Sequence, residues 1–136
     1  MGKFTGKIAI VTGGALGIGG ATARNLAKNG ATVVIADIDE DAANNNVKKI
    51  NSIGGEAVFI KADMSVSDDI EGMVDFTYRN FNGVDFIVQN AFGVISGVTR
   101  IRGDAVSVKE EDWDYGISIL AKAIYLGAKH VVPIMK

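Results

Sequence analysis

Lys7-Ile-Ala-Ile-Val-Thr12-Gly13-Gly14-Ala15-Leu16-Gly17-Ile18-Gly19 decides the fold. Its first half is a short apolar run rich in β-branched residues, the pattern of a strand buried on both faces, as in a parallel sheet. Its second half is a glycine-rich turn. Gly17 to Asn29 then carries helix-compatible residues, and Gly30 stands where a C-cap glycine would stop them. Glycines between a strand and a helix let the backbone turn sharply and approach a pyrophosphate, whose charge then faces the helix N-terminus. The turn is not a P-loop, because no Gly-Lys-Ser/Thr follows, and it does not have the G-x-G-x-x-G spacing. The plain alternative is a glycine turn without a ligand.

Working outward, strand and helix patterns alternate. Ala31–Ala36 reads as a second strand, closed by Asp37. Asp39 is placed to cap a helix with Ala43, Val47 and Ile50 on one face, which Gly54-Gly55 ends. Ala57–Ile60 is the third strand, with Asp63 just beyond it. Ser67 is placed to cap a third helix whose inner stripe is Ile70, Met73, Val74 and Thr77. Val84–Val88 is the fourth strand. A loop from Asn90 to Val106, containing Gly93, Gly97 and Gly103, exceeds the roughly 2–6 residues usual for such a connection. Ser107-Val-Lys-Glu110 has capping-box spacing and opens a long helix. Trp113, Ile117, Leu120, Ile124, Ala128 and Val131 line one face of it, and Pro133 marks its end. Strands separated by helices are βαβ units, hence a parallel sheet with right-handed crossovers.

The composition bounds what such a domain does. The 136 residues match one domain, and 48% hydrophobic content buries a real core, which excludes disorder. Sixteen acids against fourteen Lys and Arg leave a net charge of −2, so neither nucleic acid nor a lipid surface finds a basic face. The chain has no cysteine, hence no disulfide, zinc-thiolate or thiol chemistry, and its one histidine argues against a metal site. The charge-free stretch Ile8–Ala23 is shorter than the ~20 residues of a membrane span and is broken by five glycines. The N-terminus lacks the apolar block of a signal peptide. The expected setting is the reducing cytoplasm.

Asp37 sharpens the reading of the turn. It closes the second strand about twenty residues after the glycines, where an acid bonds both ribose hydroxyls and repels a 2′-phosphate. That favours NAD over NADP. The plain alternative is a surface acid beside Asp39, Glu40 and Asp41. Asp63, beyond the third strand, is in reach of an adenine.

Together these residues resemble the short-chain dehydrogenase/reductase family. Thr12 through Gly19 matches its TGxxxGxG turn, Asp37 its acid after the second strand, and Asp63-Met64 its Asp followed by Val or Met. Gln89-Asn90-Ala91-Phe92-Gly93 is similar, loosely, to its Asn-Asn-Ala-Gly, and Asp112-Trp113-Asp114 through Pro133-Ile134-Met135 to its long fourth helix. The resemblance spans essentially the whole chain. It implies an α/β fold with a doubly wound parallel sheet (Rossmann-like), truncated after the long fourth helix, so that residues 1–136 are an incomplete dinucleotide-binding domain. It implies NAD as cofactor, held by Gly13, Ala15, Leu16, Gly17, Ile18 and Gly19 in the turn, by Asp37 and Ile38, by Asp63 and Met64, and by Asn90 and Ala91. The activity it implies is oxidation of alcohols or reduction of carbonyls, with hydride passing to or from the nicotinamide.

Departures accompany the matches. The family's catalytic Ser and Tyr-x-x-x-Lys come after the region this chain spans, so a small-molecule substrate is expected only if further chain completes the site. Leu120 stands where the fourth helix of the family carries a catalytic Asn. Phe92 replaces a glycine or precedes it as an insertion, and a benzyl group there crowds the nicotinamide-ribose side. Tyr125-Leu-Gly-Ala-Lys129 spells Tyr-x-x-x-Lys, but its place fits the aromatic-Leu-Gly-Ala-Lys-His of the long helix. It is set aside, as is His130, a helix-end surface residue. No catalytic residue is therefore assigned. The reading is a cofactor-binding part that does not turn over by itself. A non-catalytic nucleotide-binding module or interaction subunit is the alternative, and Gly13-Gly14 argues against receiver-like and flavodoxin-like regulators. A fourth strand without a fifth beside it leaves an apolar edge, which points to a homo-oligomer or a partner-completed fold.

Overall fold

The computed structural model describes residues 2–95, 98–99 and 102–135; Gly97 of the long loop lies outside them. Strands β1 (Ile8–Thr12), β2 (Thr32–Asp37), β3 (Glu56–Lys61) and β4 (Phe86–Gln89) form one sheet in the order β3-β2-β1-β4. All three pairings are parallel. Helices α1 (Gly17–Lys28), α2 (Glu40–Ser52) and α3 (Ser67–Phe81) connect them. Alternation along each strand builds two cores. Ala9, Val11, Val33 and Ile35 face α1 and α2, packing on Ala23, Ala27, Ala43 and Ile50. Ile10, Val34 and Ala36 face the other way, onto Ile70, Met73 and Val74 of α3. This is the doubly wound parallel sheet the strand patterns predict.

Local signals act as expected where nothing competes with them. Asp39 caps α2 by accepting the Ala42 N–H at 3.0 Å. Ile70, Met73, Val74 and Thr77 are the buried residues of α3. Asp85 anchors the first strand, taking Lys7 Nζ and the Ile8 N–H at 2.8 Å each.

Two of the expected caps do not form. Ser67 is the first helical residue of α3, not its cap. Asp69 instead reaches back to the Asp63 N–H, at 2.8 Å, and Asp63 takes both the N–H and the hydroxyl of Ser65. Ser107 gives its hydroxyl to Asp104 at 2.7 Å, so α4 (Glu110–Ile117) starts later, behind Lys109. The Ser107 hydroxyl and the Ser107 and Val106 amides hold the exposed Asp104 carboxyl below its ordinary pKa. The predicted fourth strand also shifts. Val84 precedes β4 and makes an isolated parallel bridge to Met135. Within the long loop, β5 (Val94–Ile95) and β6 (Val98–Thr99) form a short antiparallel hairpin.

The largest correction concerns the long helix. It is α4, a π-helical turn over Ser118–Lys122 and α5 (Ala123–Val131), followed by a 3₁₀ turn. Trp113, Ile117, Leu120 and Ile124, expected to face inward, are exposed. Gly116, Ile119, Ala123, Leu126, Gly127 and Val131 are buried instead. Of the expected stripe, only Val131 is buried and Ala128 half-buried. The helix is apolar on both sides, so periodicity alone offers two stripes. Close approach selects between them: a Cβ on Gly127 would overlap the Gln89 side chain, and a glycine scores poorly in any hydrophobic stripe. The stretch Glu110–Ile134 is also long and apolar enough, by length and composition, to cross a bilayer, contrary to the expectation that no segment is. Ala123, Leu126 and Val131, however, join the core beneath the sheet.

Replacing Leu126 with alanine, at a position the periodic stripe leaves out, is expected to lower the free energy of unfolding by about 2–5 kcal/mol. Ile53→Ala, exposed at the end of α2, is expected to stay within about 0.5 kcal/mol in the same urea titration.

Candidate functional site

The carboxyl ends of the strands carry one cleft of about 420 Å³. Its floor is the turn from β1 to α1. Gly13 and Gly17 adopt φ of 64° and 54°, a region that disfavours other L-residues. The Gly13 N–H donates to Ala36 O of β2 at 2.8 Å, which turns the chain away from the sheet. Gly19 then passes so close that an added Cβ would overlap the Gly13 carbonyl oxygen and the Asn90 amide nitrogen. No side chain caps α1, whose first intrahelical bond is Gly20 N–H to Leu16 O at 2.8 Å. The amides of Gly17, Ile18 and Gly19 precede that bond, and the positive end of the helix faces the cleft.

Asp37, the last residue of β2, stands at the cleft's edge. Its Oδ2 accepts the Ala15 N–H at 2.9 Å and its Oδ1 the Asp39 N–H at 3.0 Å. Each carboxylate oxygen keeps a further lone pair, so the acid is oriented and still able to accept donors from a ligand. The cleft is lined by Asp37, Asp39 and Asp63, with no Lys or Arg among the described residues. The arrangement offers hydrogen-bond acceptors for hydroxyl or amino groups at one end and helix amides for an anion at the other.

The structure brings nearly all of the sequence-predicted site residues together. Gly13, Ala15, Leu16, Gly17 and Ile18 line the cleft, as do Asp37, Ile38, Asp63, Met64, Asn90 and Ala91. Gly19 alone lies beneath it, as support. A second, smaller cleft of about 160 Å³ adjoins the first and shares Met64, Asn90, Ala91, Phe92 and Ile119 with it. Phe92 stands at their junction. Leu120, in the π-helical turn, lines only the smaller cleft. Tyr125 is 61% exposed on α5, and neither it nor Lys129 lines either cleft.

Sequence reasoning missed three contributors. Thr12 was read as part of the motif without a task, yet its Oγ1 accepts the Asn90 and Ala91 amides at 3.0 and 3.1 Å and joins β1 to the chain beyond β4. Asn46, buried on α2, holds the glycine turn from below. A signal was present: with Ala43, Val47 and Ile50 on one face of the helix, Asn46 is the one of Asn44-Asn45-Asn46 that falls on it. Tyr115 lines the cleft from α4, a helix whose inward face the sequence pattern misplaced.

Gly19→Ala is expected to cost about 1–3 kcal/mol or more, because backbone rather than a flexible side chain must give way. Gly72→Ala, exposed in α3 with nothing within 4 Å of the added Cβ, is expected to raise stability by about 0.5–1 kcal/mol. Paired urea titrations of the two variants check both signs.

Comparison with known proteins agrees with this geometry. The family model for short chain dehydrogenase matches residues 7–136. Tropinone reductase-like 1 of Erythroxylum coca is 40% identical over 98% of this chain, a region that is 47% of that protein. The chain thus spans about half the length of the curated relatives it matches. A metagenomic short-chain oxidoreductase solved in complex with NADP has a TM-score of 0.88 and 32% identity, over 96% of this chain and 57% of that one. A short chain dehydrogenase/reductase from Burkholderia phymatum, solved in complex with NAD, has a TM-score of 0.88 and 27% identity, over 99% and 46%. With its sheet order, glycine turn and acid at the end of β2 in place, the chain belongs to the short-chain dehydrogenase family.

Proposed function

We propose that residues 1–136 are the NAD(H)-binding part of an oxidoreductase acting on alcohol or carbonyl substrates. The nicotinamide, when bound, supplies hydride chemistry. The observation that carries the reading is Asp37, oriented by the Ala15 N–H at the edge of a cleft whose lining, among the described residues, holds no Lys or Arg. Gly13, Ala15, Leu16, Gly17 and Ile18 take the pyrophosphate at the amide-rich start of α1, with Gly19 supporting the turn. Asp37 and Ile38 take the adenosine ribose, Asp63 and Met64 the adenine, and Asn90 and Ala91 lead toward the nicotinamide. A 2′-phosphate at Asp37 meets like charge, and no arginine among the described residues lines the cleft to offset it, so the cofactor is NAD, not NADP.

Turnover needs a proton donor beside the reacting oxygen. Leu120 offers no proton, Tyr125 and Lys129 stand away from both clefts, and the cleft-lining Tyr115 has no lysine beside it in the lining, among the described residues, to lower its pKa. Residues 1–136 alone therefore bind the cofactor without chemistry, and a small-molecule substrate is taken only when further chain completes the site. A second reading, a nucleotide-binding module without catalysis, is favoured by the apolar Leu120 and Phe92. The reading assigns neither nucleic acid nor membrane as partner, since the acid-lined cleft and net charge of −2 offer phosphates no basic surface. It sets the cysteine-free chain in the cytoplasm. The assembly is a homo-oligomer or a partner-completed fold. Among the described residues β4 pairs only with β1 in the sheet, and the stripe Trp113, Ile117, Leu120 and Ile124 lies exposed.

Fluorescence titration is expected to show NADH binding at least about tenfold tighter than NADPH, about 1.4 kcal/mol, with the difference lost in Asp37→Asn. In the same samples, NAD with an alcohol and ketone panel is expected to give no turnover. Turnover that vanishes in Tyr125→Phe would assign catalysis to the tyrosine set aside here. Light scattering at micromolar concentration is expected to find an assembly larger than one chain, and a well-folded monomer would refute that part.

A further inference from the structure

We infer that Asn46 is the positioning residue that aims Asp37, by clamping the peptide between Gly14 and Ala15; the inference rests on the dinucleotide reading above. That peptide is held at both ends. Its N–H, belonging to Ala15, donates to Asp37 Oδ2 at 2.9 Å. Its carbonyl, belonging to Gly14, accepts Asn46 Nδ2 at 2.8 Å. A trans peptide holds its N–H and C=O in one rigid plane, pointing in opposite directions, so fixing the carbonyl fixes the direction of the amide. Asn46 thus sets, from the far side of the turn, where the Asp37 carboxylate is pulled.

The amide of Asn46 has only one orientation that satisfies its surroundings. Two carbonyls, Gly14 O and Gly20 O at 3.3 Å, require its nitrogen as donor. The Arg24 guanidinium, a donor only, requires its oxygen, and Nη1 reaches Oδ1 at 2.8 Å. Asn46 is 2% exposed, so water cannot replace these bonds. α2 enters this position because Asp39 caps it directly after Asp37, at the end of the same strand that presents the acid. Nor does the turn tolerate a bulkier substitute for the clamp. A Cβ on Gly14 would stand 2.9 Å from Val11 O and 3.0 Å from the Ile35 side chain, leaving the peptide no side chain of its own to lock it.

The readout is selectivity, because a general weakening of the turn lowers NADH and NADPH affinity by the same factor. A mis-aimed Asp37 loses the ribose contact and the repulsion of the 2′-phosphate together, so NADH weakens and NADPH does not. Asn46→Asp keeps the shape and the Arg24 partner but removes both donors. It is expected to weaken NADH about tenfold and bring the NADPH-to-NADH ratio of dissociation constants toward one. In an Asp37→Asn background the same substitution is expected to change neither constant beyond twofold, the mark of one residue acting through another. Arg24→Met, on an exposed side chain and so compatible with folding, is expected to reduce the ratio in the same direction by a smaller factor, also at about 0.5 M salt, where charge alone is screened. If Asn46→Asp does not fold, the Arg24 arm decides. A wild-type preference for NADH that survives in the folded variants overturns the role of Asn46 alone. A wild-type chain that binds neither cofactor, or both equally, overturns the reading of Asp37 and this inference with it.

Discussion

The carbonyl of Gly13 approaches Gly19 so closely that no side chain fits there, and the rest of the site depends on that contact. A helix can start this near the end of a strand only if no side chain stands between them. With the contact made, the axis of α1 lies low on the sheet, where its buried residues are glycine and alanine only. Its amide end then opens above the carboxyl ends of β1 and β2. The Gly13 N–H is satisfied by β2 through Ala36 O, and Asn90 bonds the Thr12 and Gly13 carbonyls at 3.3 Å from the β4 side. One turn thereby ties β2, β1 and β4 together at the level where a ligand would sit.

Electrostatics follow from the same arrangement. The cleft sets a helix N-terminus opposite acids at the ends of strands, so it is polarised along its length. Phosphates suit one end and hydroxyl or amino groups the other. Asp37 is tied to Ala15, and Ala15 through its peptide to Asn46, so the two ends of the cleft are mechanically joined. What orders the glycine turn also orders Asp37.

The short strands were legible because each is a compact β-branched run between glycines or acids, with no second solution of comparable burial. The stripe of α3 was legible because its opposite face is polar: Asp68, Asp75 and Arg79 leave one apolar side. The long helix failed on the same logic, since Trp113, Ile117, Leu120 and Ile124 form as good a stripe as the residues that face the sheet. The caps show competition of another kind. Asp39 caps α2 because nothing nearer claims the Ala42 amide. Ser107 spends its hydroxyl on Asp104 instead, a choice between two local hydrogen bonds that spacing does not rank.

Sequence by itself determined the parallel α/β order, the glycine turn, and the presence of an acid after the second strand, because these depend on residues near one another along the chain. Steric permission at Gly13, Gly17 and Gly19 and the period of the strands are local properties. Only the tertiary structure decided which face of the long helix is covered, that a π-helical turn interrupts it at Leu120, and that the partner of the inward Asn46 is the Gly14 carbonyl of the turn. Each of those is a competition between partners distant in sequence. It is settled by how closely two backbones pack and by which polar group is left without water, neither of which a linear pattern records.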